Sequence, residues 1–387
     1  MEKNYYFDHS ATSNPKPQVV INSVIEALTI FNGNPSRSSH KKSIELERKI
    51  FEIREKIANF FNIKDPLQIA FTKNSTEALN FAIKGINLEN CHIITSVLEH
   101  NSVLRPINYL KDEKNIKVSY IIPDKNDEIV IENIEKNITS NTKAIIINHI
   151  SNVTGYIFNL EKIGEICKKN NLIFIVDVSQ SAGCYKIDVE KYNIDILCFT
   201  GHKSLLGIQG IGGIYVNKNI SLTPIIEGGT GSYSKIPRQP SKMPECLEAG
   251  TANVPGILSL GAGIDYINSI GLDFIFNHEW NLTQYFIKKI STIDSVIIYD
   301  NFNVPRGPVV SINMKGINAS ELTNILSEEF NIFTRGGFHC APLAHKYLGT
   351  YDFGCVRFSF GFSNTIEEVN YCIDSLKKID NFLKNNS

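Results

Sequence analysis

The apolar residues of this chain fall into two kinds of pattern. Over 18–31 and 43–61 they recur at three- and four-residue spacing, and both stretches predict amphipathic helices. The second carries Ile44, Leu46, Ile50, Ile53, Ile57 and Phe60 among charges. From there the pattern changes to short apolar runs at 68–72, 91–95, 117–122, 144–148, 172–177 and 194–200. They lack strict alternation, as strands of a mostly parallel sheet buried on both faces do. Helical stretches such as 75–86 and 160–170 separate them, and this order predicts a large, doubly wound α/β domain. Past residue 254 the order becomes α+β. Helices 256–270 and 273–290 lead to strands near 296–299 and 308–314. A helix at 319–330, a short strand, a glycine-rich loop, a strand at 356–360 and a helix at 366–381 follow. The expected organisation is an arm over 1–17, a large α/β domain over 18–254 and a smaller α+β domain over 255–387.

Composition narrows the function classes. Thirty-nine Lys and Arg stand against 40 Asp and Glu, so no charge excess calls for a nucleic acid. Charged or amide residues interrupt every apolar run before it reaches membrane-spanning length, and the N-terminus lacks a secretory signal's apolar core. The eight cysteines show no CxxC pairing. A cytoplasmic protein with reduced thiols is expected.

Candidate chemistry gathers where two apolar runs end. Asp177 closes the run 172–177, and Lys203 follows the run 194–200 in Thr200-Gly201-His202-Lys203. Ligands of open α/β sheets bind at the carboxyl ends of strands. An ion pair at the sheet rim is the plainer reading of those two residues alone. A lysine that forms a Schiff base and an aspartate that keeps a pyridine nitrogen protonated are what pyridoxal phosphate requires. Three neighbours favour the cofactor. Ser75 and Thr76 open a predicted helix where backbone N–H groups can meet a phosphate. His100 follows a strand and can stack on a planar ring. The glycines of 207–213 give the backbone after Lys203 room for tight turns.

These motifs stand in the chain order Phe7-Asp8-His9-Ser10-Ala11, Ser75-Thr76-Glu77, Glu99-His100-Asn101, His149 to Asn152, Asp177 to Gln180, Thr200 to Lys203, Glu248 to Thr251 and Arg335 to Ala341. That order resembles the class V aminotransferase-fold enzymes, which are pyridoxal-phosphate proteins of fold type I. Within them it is most similar to the short-loop cysteine desulfurases and selenocysteine lyases. The resemblance implies that Lys203 carries the cofactor, Asp177 serves its ring nitrogen, His100 stacks on the ring and Gln180 bonds its phenolic oxygen. Ser75, Thr76, Thr200 and His202 would bind the phosphate, Asn152 would lie against cofactor and substrate, and Arg357 would hold the substrate carboxylate. A homodimer is implied as well, with Thr251 and the loop 228–232 reaching the partner's site. The segment 34–40 fits the family's substrate-side loop, with Arg37 behind it; a polar turn is an equally economical reading.

Cys340 decides the chemistry expected. It follows two glycines and is flanked by Arg335 and His339, which offer positive charge or a proton acceptor to a thiol. A desulfurase needs such a nucleophile to take sulfur from L-cysteine, leaving alanine and a persulfide; a sulfur-acceptor protein would then follow. Selenocysteine lyase activity and transamination of a small amino acid are the neighbouring reactions, and a scaffold without activity would need neither Lys203 nor Asp177. Phe338 stands where the short-loop enzymes carry the first of two histidines. No metal is expected, because His339, Cys340 and His345 lack a fourth ligand.

Overall fold

The computed structural model describes residues 3–35, 40–299 and 306–385. A short strand, β1 (Tyr5–Tyr6), precedes two helices, α1 (Gln18–Thr29) and α2 (Lys41–Phe61). α2 buries Leu46, Ile50, Ile53, Ile57 and Phe61 along one stripe and stops at Asn62, whose left-handed φ of 55° closes the helix. Arg37 lies outside the described residues.

The large sheet comprises β2 (Ile69–Thr72), β3 (His92–Ser96), β4 (Lys117–Ile121), β5 (Thr142–Asn148), β6 (Ile173–Asp177), β7 (Ile196–Thr200) and β8 (Gly212–Val216). Its spatial order is β2-β8-β7-β6-β5-β3-β4. Among these strands β8 alone runs against its neighbours. Between them stand α3 (Ser75–Gly85), α4 (Asn101–Lys114), α5 (Asp127–Asn137) and α6 (Leu160–Lys169). The absence of alternation in the apolar runs now has its cause. In β5, Ile145 and Ile147 enter one core while Ala144 and Ile146 enter the other, on the opposite face. Both faces are covered, so both must be apolar.

α7 (Val254–Ile270) packs on α1 and α2, and its apolar side chains join the large sheet's core. Beyond it come α8 (Leu272–Ile290), β9 (Val296–Ile298), β10 (Val309–Met314), α9 (Ala319–Phe330), β11 (Ile332–Phe333), β12 (Arg335–Gly337), α10 (Pro342–Leu348), β13 (Cys355–Ser359) and α11 (Ile366–Asn385). An antiparallel sheet of order β12-β13-β10-β9 backs a third core, to which Phe7 of the N-terminal segment also belongs. β1 pairs with β11 in parallel. No described helix is long and apolar enough to cross a membrane.

The glycine run 207–213 departs from its expected role. Gly210, with φ +85°, does make a turn. Gly212 and Gly213 instead lie inside β8, where the need is for space. A Cβ on Gly212 would sit 2.6 Å from the Phe199 carbonyl oxygen and 2.9 Å from the Asn74 backbone. That contact seats the start of α3 against the sheet rim. Gly212→Ala is expected to lower stability by about 1–3 kcal/mol, as overpacking against backbone does. Urea denaturation of the variant checks this, and an unshifted midpoint would show that the contact is slack.

Candidate active site

The parallel strands β5, β6 and β7 end side by side, with Asn148 paired to Asp177 and Asp177 to Cys198. Their carboxyl ends therefore share one rim, and a cavity of about 280 Å³ opens there. Ser75, Thr76, His100, Asn152, Asp177, Gln180, Thr200, His202 and Lys203 all line it, with Ser102 and Ser179 among their neighbours. Nine residues singled out in the sequence thus meet in one place.

Each is fixed by its local structure. Asp177 is buried and collects hydrogen bonds on Oδ1 from Ser179 N (2.9 Å), Ser179 Oγ (2.5 Å) and Ser75 Oγ (3.3 Å). Asn74 caps α3 through the Glu77 N–H, so Ser75 and Thr76 stand in the helix's first turn at the cavity edge. His100 caps α4: its Nδ1 accepts from Ser102 N at 3.1 Å. An accepting Nδ1 puts the hydrogen of the neutral ring on Nε2. Burial, with the Lys203 charge second, pulls His100 down to about 4, so the ring is neutral near pH 7. Gln180 Nε2 donates to the Ser10 carbonyl at 3.1 Å.

Burial also pulls Lys203 down to about 8; Asp177 works against that shift, while Arg357 and Arg335 add to it. The backbone on either side is clamped. The His202 carbonyl accepts from Ser13 N (3.1 Å) and Lys16 Nζ (2.8 Å), and the Lys203 carbonyl accepts from Ser13 Oγ (2.9 Å). Around the cavity several buried polar atoms have no partner among the described residues: Thr200 Oγ1, His202 Nδ1 and Asn152 Oδ1. Buried polar groups are seldom left so. Their clustering around a lysine fits a polar, anionic ligand.

Arg357 is almost wholly buried, so the modest worth of a surface ion pair does not apply to it. Its Nη2 donates to Asp8 Oδ1 at 2.6 Å and its Nη1 to the Asn152 carbonyl at 3.2 Å, while Nε has no partner among the described residues. Arg335 lies directly opposite Arg357 across β12 and β13. Like charges in that position repel, and the pair suits a carboxylate between them.

Cys340 is exposed, and Arg335 Nη2 lies 3.8 Å from its Sγ. His339 and Cys340 are both left-handed, with φ of 51° and 56°. Two successive non-glycine residues there store strain of about 1–3 kcal/mol each, a mark of functional sites. The turn is fastened in place: Asn101 N donates to the Cys340 carbonyl (2.7 Å) and Asn152 Nδ2 to the His339 carbonyl (2.8 Å). The His339 side chain is not the thiol's neighbour that its position in the sequence suggests. The reversed backbone turns it inward, where Nε2 meets the Arg335 carbonyl at 3.0 Å and Nδ1 faces His345. Thr251 stays out of the cavity, exposed beside a separate groove of about 540 Å³.

Sequence reasoning assigned no role to Asp8 or Glu99. Both sit in motifs quoted above, and their signal was an acid next to residues of the site. Glu99 is buried, accepts from Asn148 N with both oxygens at 3.1 Å, and is pushed up to about 8, chiefly by burial.

A model of the class-V aminotransferase family matches residues 5–372, which include every residue of this cavity. The chain belongs to the class-V aminotransferase family. Within it, the chain falls among the cysteine desulfurases. It is 36% identical to the probable cysteine desulfurase of Borreliella burgdorferi, over 97% of this chain and 91% of that one. To the probable cysteine desulfurase of Pyrococcus abyssi it is 34% identical, over 97% and 94%. The apo structure of the cysteine desulfurase from Thermococcus onnurineus NA1 matches with a TM-score of 0.91 at 32% identity, over 98% of this chain and 95% of that one.

The lowered lysine gives a direct test. Trapping of Lys203 in the cofactor-free chain by a small aldehyde and borohydride is expected to rise with pH through about 8, not through about 10.4 as an ordinary lysine would. Asp177→Asn removes the charge that holds the ammonium form and should move the profile to lower pH. Peptide mapping of the labelled protein reads both outcomes.

Proposed function

We propose that this chain is a pyridoxal-phosphate-dependent cysteine desulfurase that transfers the sulfur of L-cysteine to Cys340 as a persulfide and releases L-alanine. The observation that carries the reading is an exposed thiol on a strained turn, fastened to α4 one residue past His100, which lines the cavity that also holds Lys203 and Asp177.

Bound pyridoxal phosphate supplies an electron sink that weakens bonds near the amino acid's α-carbon. Lys203 would hold the cofactor through its amine, and Asp177 would keep the ring nitrogen protonated. His100 would pack against its ring, and Gln180 would bond its phenolic oxygen. Ser75, Thr76, Thr200 and His202 would take the phosphate with the N–H groups that open α3. The unpartnered Thr200 Oγ1 and His202 Nδ1 support that assignment. Asn152 would lie against cofactor and substrate.

Arg357 grips the substrate carboxylate, with Arg335 opposite adding positive charge. Cys340, as thiolate, attacks the substrate sulfur. An S–S bond forms as the C–S bond breaks; the electron pair stays with carbon, which takes a proton and leaves as alanine. The exposure of Cys340 then lets an acceptor protein collect the sulfur. A homodimer is part of the reading: Thr251 lies exposed beside a groove away from its own cavity, available to a second copy.

Cys340→Ser keeps the volume of the side chain but not a readily ionised thiol. The variant is expected to bind the cofactor and L-cysteine, judged by visible absorbance, while alanine release falls at least a hundredfold and no persulfide forms. Alanine and sulfide produced at wild-type rates would overturn the mechanism. Arg357→Lys loses the two-pronged grip and is expected to raise KM for L-cysteine about tenfold or more, at unchanged cofactor content. An unchanged KM would remove Arg357 from the substrate site.

A further inference from the structure

Beneath the turn that carries Cys340 lies a second group of reactive side chains, which the reaction above does not use. His339, His345 and Cys355 are all buried, and the nitrogens and sulfur they turn toward one another lie within 4.8 Å. His339 Nδ1 stands 3.3 Å from His345 Nε2 and 3.9 Å from Cys355 Sγ.

Neighbouring groups fix the ring hydrogen of His339 and constrain that of His345. His339 Nε2 is 3.0 Å from the Arg335 carbonyl, which can only accept, so Nε2 carries the hydrogen and Nδ1 a lone pair. Thr350 Oγ1 can donate to the His345 carbonyl at 3.5 Å and accept from His345 Nδ1 at 2.7 Å. Thr350 Oγ1 can equally donate to Nδ1, which leaves the His345 Nε2 hydrogen to meet His339 Nδ1 at 3.3 Å; the first arrangement, with a lone pair of each ring turned inward, is the one a cation selects. In that arrangement two imidazole lone pairs and the Cys355 sulfur face one another in a closed space and can take a cation between them.

We propose that His339 Nδ1, His345 Nε2 and Cys355 Sγ bind a zinc-type divalent cation, at a site separate from the reaction cavity. Tetrahedral zinc, with bonds of about 2.0–2.1 Å to nitrogen and about 2.3 Å to sulfur, sets its nitrogens about 3.3 Å apart and nitrogen about 3.6 Å from sulfur. The nitrogen–nitrogen spacing is met and the His339–Cys355 spacing lies within a few tenths of an ångström, while His345 Nε2 stands within 4.8 Å of the sulfur and closes on it as the cation binds. The Arg335 carbonyl and the Thr350 hydroxyl orient the two rings, as outer partners of metal-bound histidines do. A water would take the fourth position, which the three protein ligands leave open. Binding expels the thiol proton, and the cation ties the turn bearing Cys340 to the strand bearing Arg357.

Elemental analysis of the full chain, loaded with Zn²⁺ and washed with a weak chelator, tests the site without reference to activity. About one zinc per chain is expected in the wild type and in Cys340→Ser. His345→Gln and Cys355→Ser should lose it. Co²⁺ in its place should show tetrahedral visible bands and a thiolate charge-transfer band that Cys355→Ser abolishes. Should either variant fail to fold by circular dichroism, Thr350→Val decides, because it removes only the hydroxyl that orients His345 and should weaken zinc about 10–100-fold. A wild-type chain that retains no zinc overturns the proposal. So does zinc held equally by the folded variants. Neither result bears on whether the chain desulfurates cysteine.

Discussion

One buried guanidinium holds the reactive end of the molecule together. Arg357 comes from the antiparallel sheet, Asp8 from the N-terminal segment and Asn152 from the loop after β5, and the three meet at hydrogen-bond distance. Removing a guanidinium from water costs several kcal/mol, recovered only when its donors find acceptors. The sheet that carries Arg357 therefore cannot settle until Asp8 and Asn152 are in place. Breaking such a pair from one side leaves an unpaired buried charge, at about 3–5 kcal/mol. That is a sizeable part of a typical domain's stability. Cys340 depends on the same junction, because Asn152 also holds the His339 carbonyl.

The electrostatics of the cavity follow from that burial. Lys203 and His100 are both pulled down and Glu99 is pushed up, each mainly because water is excluded. Lys203 is thereby brought within reach of its free amine near neutral pH, and His100 stays an uncharged ring. The two arginines on β12 and β13 add positive potential without touching Lys203's hydrogen-bonding neighbours. A carboxylate arriving there meets two fixed cations and a lysine that gives up its proton more readily than usual.

Much of this was legible in the chain, for a physical reason. Parallel strands buried on both faces must be apolar throughout, so their ends are easy to find, and the fold brings those ends to one rim. Asp177, Thr200, His202 and Lys203 could be placed together on that ground alone. What the sequence hid were features set by backbone handedness and by contacts far along the chain. The inward turn of His339 follows from two successive left-handed residues, which no spacing rule reveals. β8 was concealed because Gly212 and Gly213 read as flexibility when the fold uses them as empty space. The pairing of Asp8 with Arg357 spans nearly the whole chain, and no local pattern reports it. His345 and Cys355 join His339 for the same reason: their meeting depends on the path of α10 and β13.

The parallel pairing of β1 with β11 has a consequence for how the molecule is made. Tyr5 finds Ile332, and Tyr6 finds Phe333, only after more than three hundred intervening residues have been synthesised. The chain leaves the ribosome N-terminus first, so Tyr5, Tyr6 and Phe7 emerge early and wait. The large sheet can fold behind them while their own partners do not yet exist. Pairings of such long range also form slowly. Tyr5, Tyr6 and Phe7 therefore stay uncovered until the far end of the chain has been made.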